Sequence, residues 1–213
     1  MPQLTVPDAL LVIGTHCPHC PTVLAGFSDL IKQGLIGRLE IINLEQRPER
    51  VAELGVRGVP WMRIGPFELE GLRSPAELKK WAQQAGSETG MAEYFKELLT
   101  EGQLARVEAL VRKEPATLAA LLSLMEDPEA ELQIRLGISA IVEGLAGTPE
   151  LQGDLDKLAA LSHSSDARTR NDACYFLGLT RDPRARPVLE ERLEDDDAGV
   201  RETAAEALEA LPD

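Results

Sequence analysis

The sequence predicts an α/β domain joined to an all-α module of stacked helices, on three observations. Residues 1–86 alternate short apolar runs with amphipathic helical patterns, whereas the rest of the chain shows helical periodicity alone. Charge divides at the same place. Residues 1–86 hold nine acids and nine bases; residues 87–213 hold 27 acids and 13 bases, which accounts for the whole net charge of −14. Finally, 44% of residues are hydrophobic but only 4% aromatic, the composition of Leu- and Ala-rich helices. At 213 residues there is room for two domains with a core each. We expect one over residues 1–86, a polar, Gly-bounded linker at 87–90 within GSETG, and a second over 91–213.

The first strand is the run LLVI at residues 10–13, stopped by Gly14-Thr15. Cys17 and Cys20 follow, and from Pro21 the positions Val23, Leu24, Phe27, Leu30 and Ile31 recur at helical steps towards Gly34. Residues 39–44 (LEIINL) read as a second strand. Residues 48–54 read as a short helix, with Pro48 in its first turn and Gly55 after its end. A hairpin is expected from residues 59–65 (VPWMRIG) and 67–71 (FELEG). Ser74, with Glu77 three residues on, marks the start of a helix that buries Leu78, Trp81 and Ala82. The order is β-α-β-α-β-β-α.

Beyond residue 90, Tyr94, Leu98 and Leu99 mark one helix, and Leu104, Val107, Leu110 and Val111 another. Three helix pairs follow, whose second helices begin at Asp127, Asp166 and Asp197. A shift of 31 residues lays Ala167, Arg170, Ala173 and Leu177 on Ala198, Arg201, Ala204 and Leu208. The first pair fits with Ile138 at the Ala173 position and Val142 at the Leu177 position. Acid-capped helices with a mid-helix Arg and a small-residue stripe resemble HEAT repeats, units too small to bury a face without stacking. An ordinary helical bundle is the alternative.

A strand that feeds Cys-X-X-Cys at the start of a helix is the arrangement disulfide exchange needs. The helix N-terminus offers free N–H groups and partial positive charge to the first sulfur and stabilises its thiolate. Cys17 is thus the candidate nucleophile, exposed at the helix N-terminus, and Cys20 the shielded resolving thiol one turn inside the helix. Pro18 and His19 lie between them, and the imidazole of His19 adds to the helix in favouring the Cys17 thiolate. The other readings are a static disulfide or a zinc site. With no second Cys pair the four ligands of structural zinc are not supplied, and Pro21 stands where c-type haem attachment requires His. No cofactor and no metal are expected.

The CPHC motif at a strand–helix junction, the GVP sequence ending at Pro60 and the element order together resemble the thioredoxin fold over residues 5–86. The short first strand is closer to glutaredoxins. THCPHCP and GVRGVPWMRIG are similar to the thioredoxin-like domain of alkyl hydroperoxide reductase flavin subunits, and CPHC matches disulfide oxidases of the DsbA type. The resemblance implies a cis Val59–Pro60 bond that turns the Val59 backbone towards the sulfurs to pair with an extended substrate. One departure stands out. Thioredoxin reductants carry WCGPC and a buried acid six residues before the first Cys, where this chain has Leu11. Proton transfer then falls to His19, His16 or water, although His16 reads first as a solvent-exposed rim residue.

The expected function is thiol–disulfide exchange with a protein partner, the helical array binding that partner. The alternative is a redox-sensing adapter whose array binds according to the state of the dithiol. Acidity of the array disfavours nucleic acid and anionic membrane as partners. The N-terminus lacks a basic region before its apolar run, and no apolar run reaches the ~18 residues of a membrane span, so a cytoplasmic protein is expected. Cys174 reads as a buried small hydrophobe, and residues 194–197 (EDDD) as a solvated turn that caps the last helix.

Overall fold

The computed structural model describes residues 6–212, so residues 1–5 of the expected first domain and Asp213 of the second lie outside it. The chain forms two compact units, residues 1–91 and 92–213.

In the first unit the elements run β1 (Ala9–Ile13), α1 (Cys20–Lys32), β2 (Leu39–Asn43), α2 (Pro48–Glu53), β3 (Trp61–Ile64), β4 (Phe67–Glu70) and α3 (Pro75–Gln84). The sheet order is β2-β1-β3-β4; β1 and β2 are parallel, the other pairs antiparallel. Central β1 is apolar throughout because helices cover both faces of the sheet, and Leu11, in the place of the missing acid, is fully buried. On one face Leu10, Val12, Ile42, Val51 and Trp61 form a cluster joined by Val59. On the other, α1 and α3 bury Phe27, Leu30, Leu78 and Trp81, and the Trp81 ring lies 4.8 Å from that of Phe67. The Ser74–Glu77 capping box forms: the Glu77 N–H donates to Ser74 Oγ (3.3 Å), and the Ser74 N–H to Glu77 Oε2 (2.8 Å).

The sequence reading and the structure differ at the third strand and at the expected linker. The third strand begins at Trp61 rather than residue 59, because Pro60 has no N–H to give the ladder; the Val59–Pro60 bond is cis. Residues 88–90 are not a linker but the first turn of α4 (Glu88–Thr100). Ser87 Oγ accepts the Gly90 N–H (3.0 Å) and donates to the Gln84 carbonyl (2.8 Å). A side chain at position 90 would meet Gln84 Cβ at 2.7 Å, so glycine permits this close approach.

The second unit continues with α5 (Leu104–Lys113), α6 (Leu118–Ser123), α7 (Leu132–Glu143), α8 (Pro149–Gly153), α9 (Leu155–Leu161), α10 (Ala167–Leu179), α11 (Arg186–Arg192) and α12 (Ala198–Ala210). Asp166 caps α10 by accepting the Thr169 N–H (2.9 Å), and Asp197 caps α12 through the N–H groups of Gly199 and Val200. The first of the three helices departs from the sequence reading. Asp127 closes a turn of its own, accepting the Glu129 N–H (3.0 Å), and α7 starts only after Glu131.

Repeats are joined by arginines at equivalent positions. Arg135 of α7 is buried and donates to Asp172 Oδ2 (2.9 Å) and Thr169 Oγ1 (3.1 Å) of α10. Arg170 of α10 grips both Asp195 oxygens (2.9 and 2.7 Å) and donates to Asp196 Oδ1 (2.7 Å). Arg201 of α12, at the same position in the last repeat, instead donates within its own repeat, to the Asp195 carbonyl of the preceding turn (2.7 Å). The acidic turn is therefore only partly solvated: the Asp195 side chain is 3% exposed, and the Arg170 guanidinium holds its carboxyl well below the usual range. No helix among the described residues is long and apolar enough to cross a membrane.

Candidate functional site

β1 ends at Ile13, and the loop of residues 14–19 leads into α1 at Cys20. Cys17 and Cys20 are joined as a disulfide, with their Cα atoms 5.5 Å apart. Cys20 is the first residue of the helix, not a turn inside it, and is 4% exposed; Cys17, expected to be exposed, is half-buried in the loop before the helix, and Pro18 and His19 are exposed. The Cys20 N–H donates to Cys17 Sγ (3.2 Å). No acid lies in the first turn of α1, and the His19 side chain makes no capping bond, so the positive end of the helix is not neutralised from within. The acid-free helix start favours negative charge on a sulfur there, and the N–H bond falls on Cys17 Sγ.

Gly14 is the point on which the other groups converge. A methyl group there would lie 3.1 Å from Val59 Cγ2, 3.4 Å from Glu45 Oε1 and 3.7 Å from Cys17 Cβ. Val59, Pro60 and the cysteines, separated by some forty positions in the chain, thus share one end of the sheet. His16 is exposed beside them.

This is the arrangement of a family, and the comparisons agree. Residues 9–83 match a thioredoxin domain and residues 118–209 match HEAT repeats. The chain is a thioredoxin domain followed by HEAT repeats. No curated protein shows a match to it. In this thioredoxin domain the close Cys pair joins the loop after β1, through Cys17, to the first residue of α1, Cys20.

The structure adds three residues that reading the sequence did not single out. The Thr15 N–H donates to both oxygens of Glu45 (3.1 Å each), and Thr15 Oγ1 donates to Glu45 Oε2 (3.2 Å). Asn43 Nδ2 donates to Thr15 Oγ1 (3.2 Å), while Asn43 Oδ1 accepts the N–H groups of Glu45 (3.0 Å) and Gln46 (3.1 Å). Glu45's own backbone N–H, the Thr15 N–H and hydroxyl, and the nearby His16 lower its pKa, against some desolvation. In the structure Thr15 and Glu45 each come two residues after a strand, a match the sequence reading hid by running the second strand to residue 44. They meet because β1 and β2 run parallel with Ile13 opposite Asn43.

Cys174 is far less reactive ground. It is fully buried in the HEAT repeats, and burial pushes its pKa up to about 11.

Proposed function

We propose that this chain is a thiol–disulfide oxidoreductase that exchanges disulfides with a protein partner through Cys17 and Cys20. The observation that carries this reading is a half-buried Cys17 whose sulfur accepts the Cys20 N–H at a helix start free of acids. In the reduced state the Cys17 thiolate attacks one sulfur of the partner's disulfide. The other partner sulfur leaves as a thiolate and takes a proton. Cys20, losing its proton, then attacks Cys17 Sγ and expels the second partner sulfur. The partner gains two electrons and two protons, and the Cys17–Cys20 disulfide remains for a thiol reductant to reset. Run backwards, the same steps give the disulfide to a partner dithiol.

His19 and the α1 N-terminus supply the positive environment for the thiolate, Pro18 holds the turn, and the Val59 backbone pairs with the extended partner. The HEAT repeats bind the partner. Supporting this is an open apolar groove of about 400 Å³ lined by Leu99, Leu104, Leu132 and Leu136. Leu132 and Leu136 are 66% and 61% exposed. Since residues 87–213 carry 27 acids against 13 bases, the segment it accepts is an apolar helix face with Lys or Arg at its flanks. That acidity turns nucleic acid and anionic membranes away, and a cytoplasmic setting, where thiols stay reduced, suits the odd cysteine count.

Cys20→Ser tests the reading: it leaves Cys17 able to attack but unable to be released. A partner held on Cys17 through a bond that dithiothreitol breaks is the expected product, with insulin-reduction turnover lost in Cys17→Ser. Stoichiometric oxidation without turnover, together with partner binding that changes with redox state, would instead favour the adapter reading, for which the exposed leucine groove on the array is the supporting observation.

A further inference from the structure

We infer that Glu45 is a positioning residue for the dithiol, gripping the loop before Cys17 so that the Cys17 sulfur stays on the Cys20 N–H. This rests on the exchange reading above, and gives that site a part its sequence motif does not contain. The loop of residues 14–17 is short, and its backbone has few bonds to hold it. The Cys17 N–H reaches the Gly14 carbonyl at 3.3 Å, a long contact. Its firm anchor is the Glu45 carboxylate, which accepts the Thr15 N–H on both oxygens and the Thr15 hydroxyl on one.

Glu45 is in turn set from behind. Asn43, the last residue of β2, accepts the Glu45 and Gln46 N–H groups and donates to the same Thr15 hydroxyl, closing a ring of three side chains across the ends of two parallel strands. Gly14 lies against the ring: a methyl group there would be tight against Val59 Cγ2 (3.1 Å) and in contact with Glu45 Oε1 (3.4 Å) and Cys17 Cβ (3.7 Å). A side chain that fixes Thr15 therefore fixes Gly14 against Val59 and sets the path of the next two residues to Cys17. The charge on Glu45 has the opposite tendency, since a carboxylate near Cys17 disfavours a thiolate. Grip and charge can be separated, because glutamine keeps a carbonyl acceptor while losing the charge.

The test uses the full chain as wild type, Glu45→Gln and Glu45→Ala. Cys17 alkylation by iodoacetamide is followed against pH after reduction, and the reduction potential is read by equilibration with glutathione. Glu45 is exposed and lies between elements, so both variants should fold. Losing the grip in Glu45→Ala is expected to raise the Cys17 pKa by about one unit, a loss of about tenfold in thiolate below the pKa. The potential falls accordingly by about 30 mV, the two-electron equivalent of tenfold. Glu45→Gln leaves the Cys17 pKa unchanged or lower. Asn43→Ala, which removes the rear support, moves it in the direction of Glu45→Ala by less and covers the case of an unfolded alanine variant. Equal behaviour of the alanine and glutamine variants, whether both shift together or neither does, overturns the inference. A wild-type Cys17 that ionises near 8.5 and reduces no disulfide would sink the exchange reading instead.

Discussion

Among the three cysteines, burial and helix geometry divide reactive from inert. Cys174 is buried, and its pKa is pushed up to about 11, so at pH 8 almost none of it is thiolate. After mild reduction of the native chain, iodoacetamide should label Cys17 first and leave Cys174 unlabelled until denaturant is added. Mass spectrometry of the peptides checks this, and labelling of Cys174 at a rate matching Cys17 would contradict it. The motif residues could be read from the chain because Cys-X-X-Cys keeps its four positions local. Thr15 and Glu45 could not, because their pairing depends on strand register across 30 positions, which a periodic pattern does not encode.

At the level of elements, the strand–helix order was legible because apolar alternation and helical spacing are local signals. Boundaries were legible where a side chain caps the backbone. Ser74, Asp166 and Asp197 were each read correctly as caps, and each accepts an N–H in the first turn. Asp127 misled because an Asp before Pro looks like a cap, yet its carboxylate closes a turn and α7 starts five residues later. The acidic turn before α12 misled in another way, since four acids in a row look solvated until Arg170 and Arg192 are seen to reach Asp195. Its carboxyl is held below the ordinary range by Arg170, so its contribution to stability is complete above about pH 4 and lost as pH falls through the lowered value. Asp195→Asn should therefore cost about 2–3 kcal/mol at neutral pH, as the buried Arg170 guanidinium loses its two-pronged carboxylate and keeps only the exposed Asp196 and backbone carbonyls, and the gap from wild type should narrow towards pH 2. Urea unfolding followed by helical circular dichroism at both pH values measures it.

Across the whole molecule, the two units divide the work in the proposed function, the thioredoxin domain doing the exchange and the HEAT repeats choosing the partner. Changing Leu132 and Leu136 together to Glu places charge in the apolar groove at two exposed positions, where folding is little disturbed. Insulin reduction, which needs only the dithiol, should keep its rate, while the yield of partner trapped by Cys20→Ser should drop at least tenfold. If both fall together, or neither does, the HEAT repeats do not select the partner through this groove.

The sequence by itself determined the two folds, the dithiol and the helix repeat, because each is written in spacings of a few residues: a period of two or 3.6, a Cys-X-X-Cys, a repeat of 31. Only the tertiary structure decided which distant groups attend the sulfurs and which acids are buried. Those pairings arise from the parallel register of β1 on β2 and from the stacking of α10 against its neighbours, and contacts between segments far apart in the chain leave no trace in local periodicity.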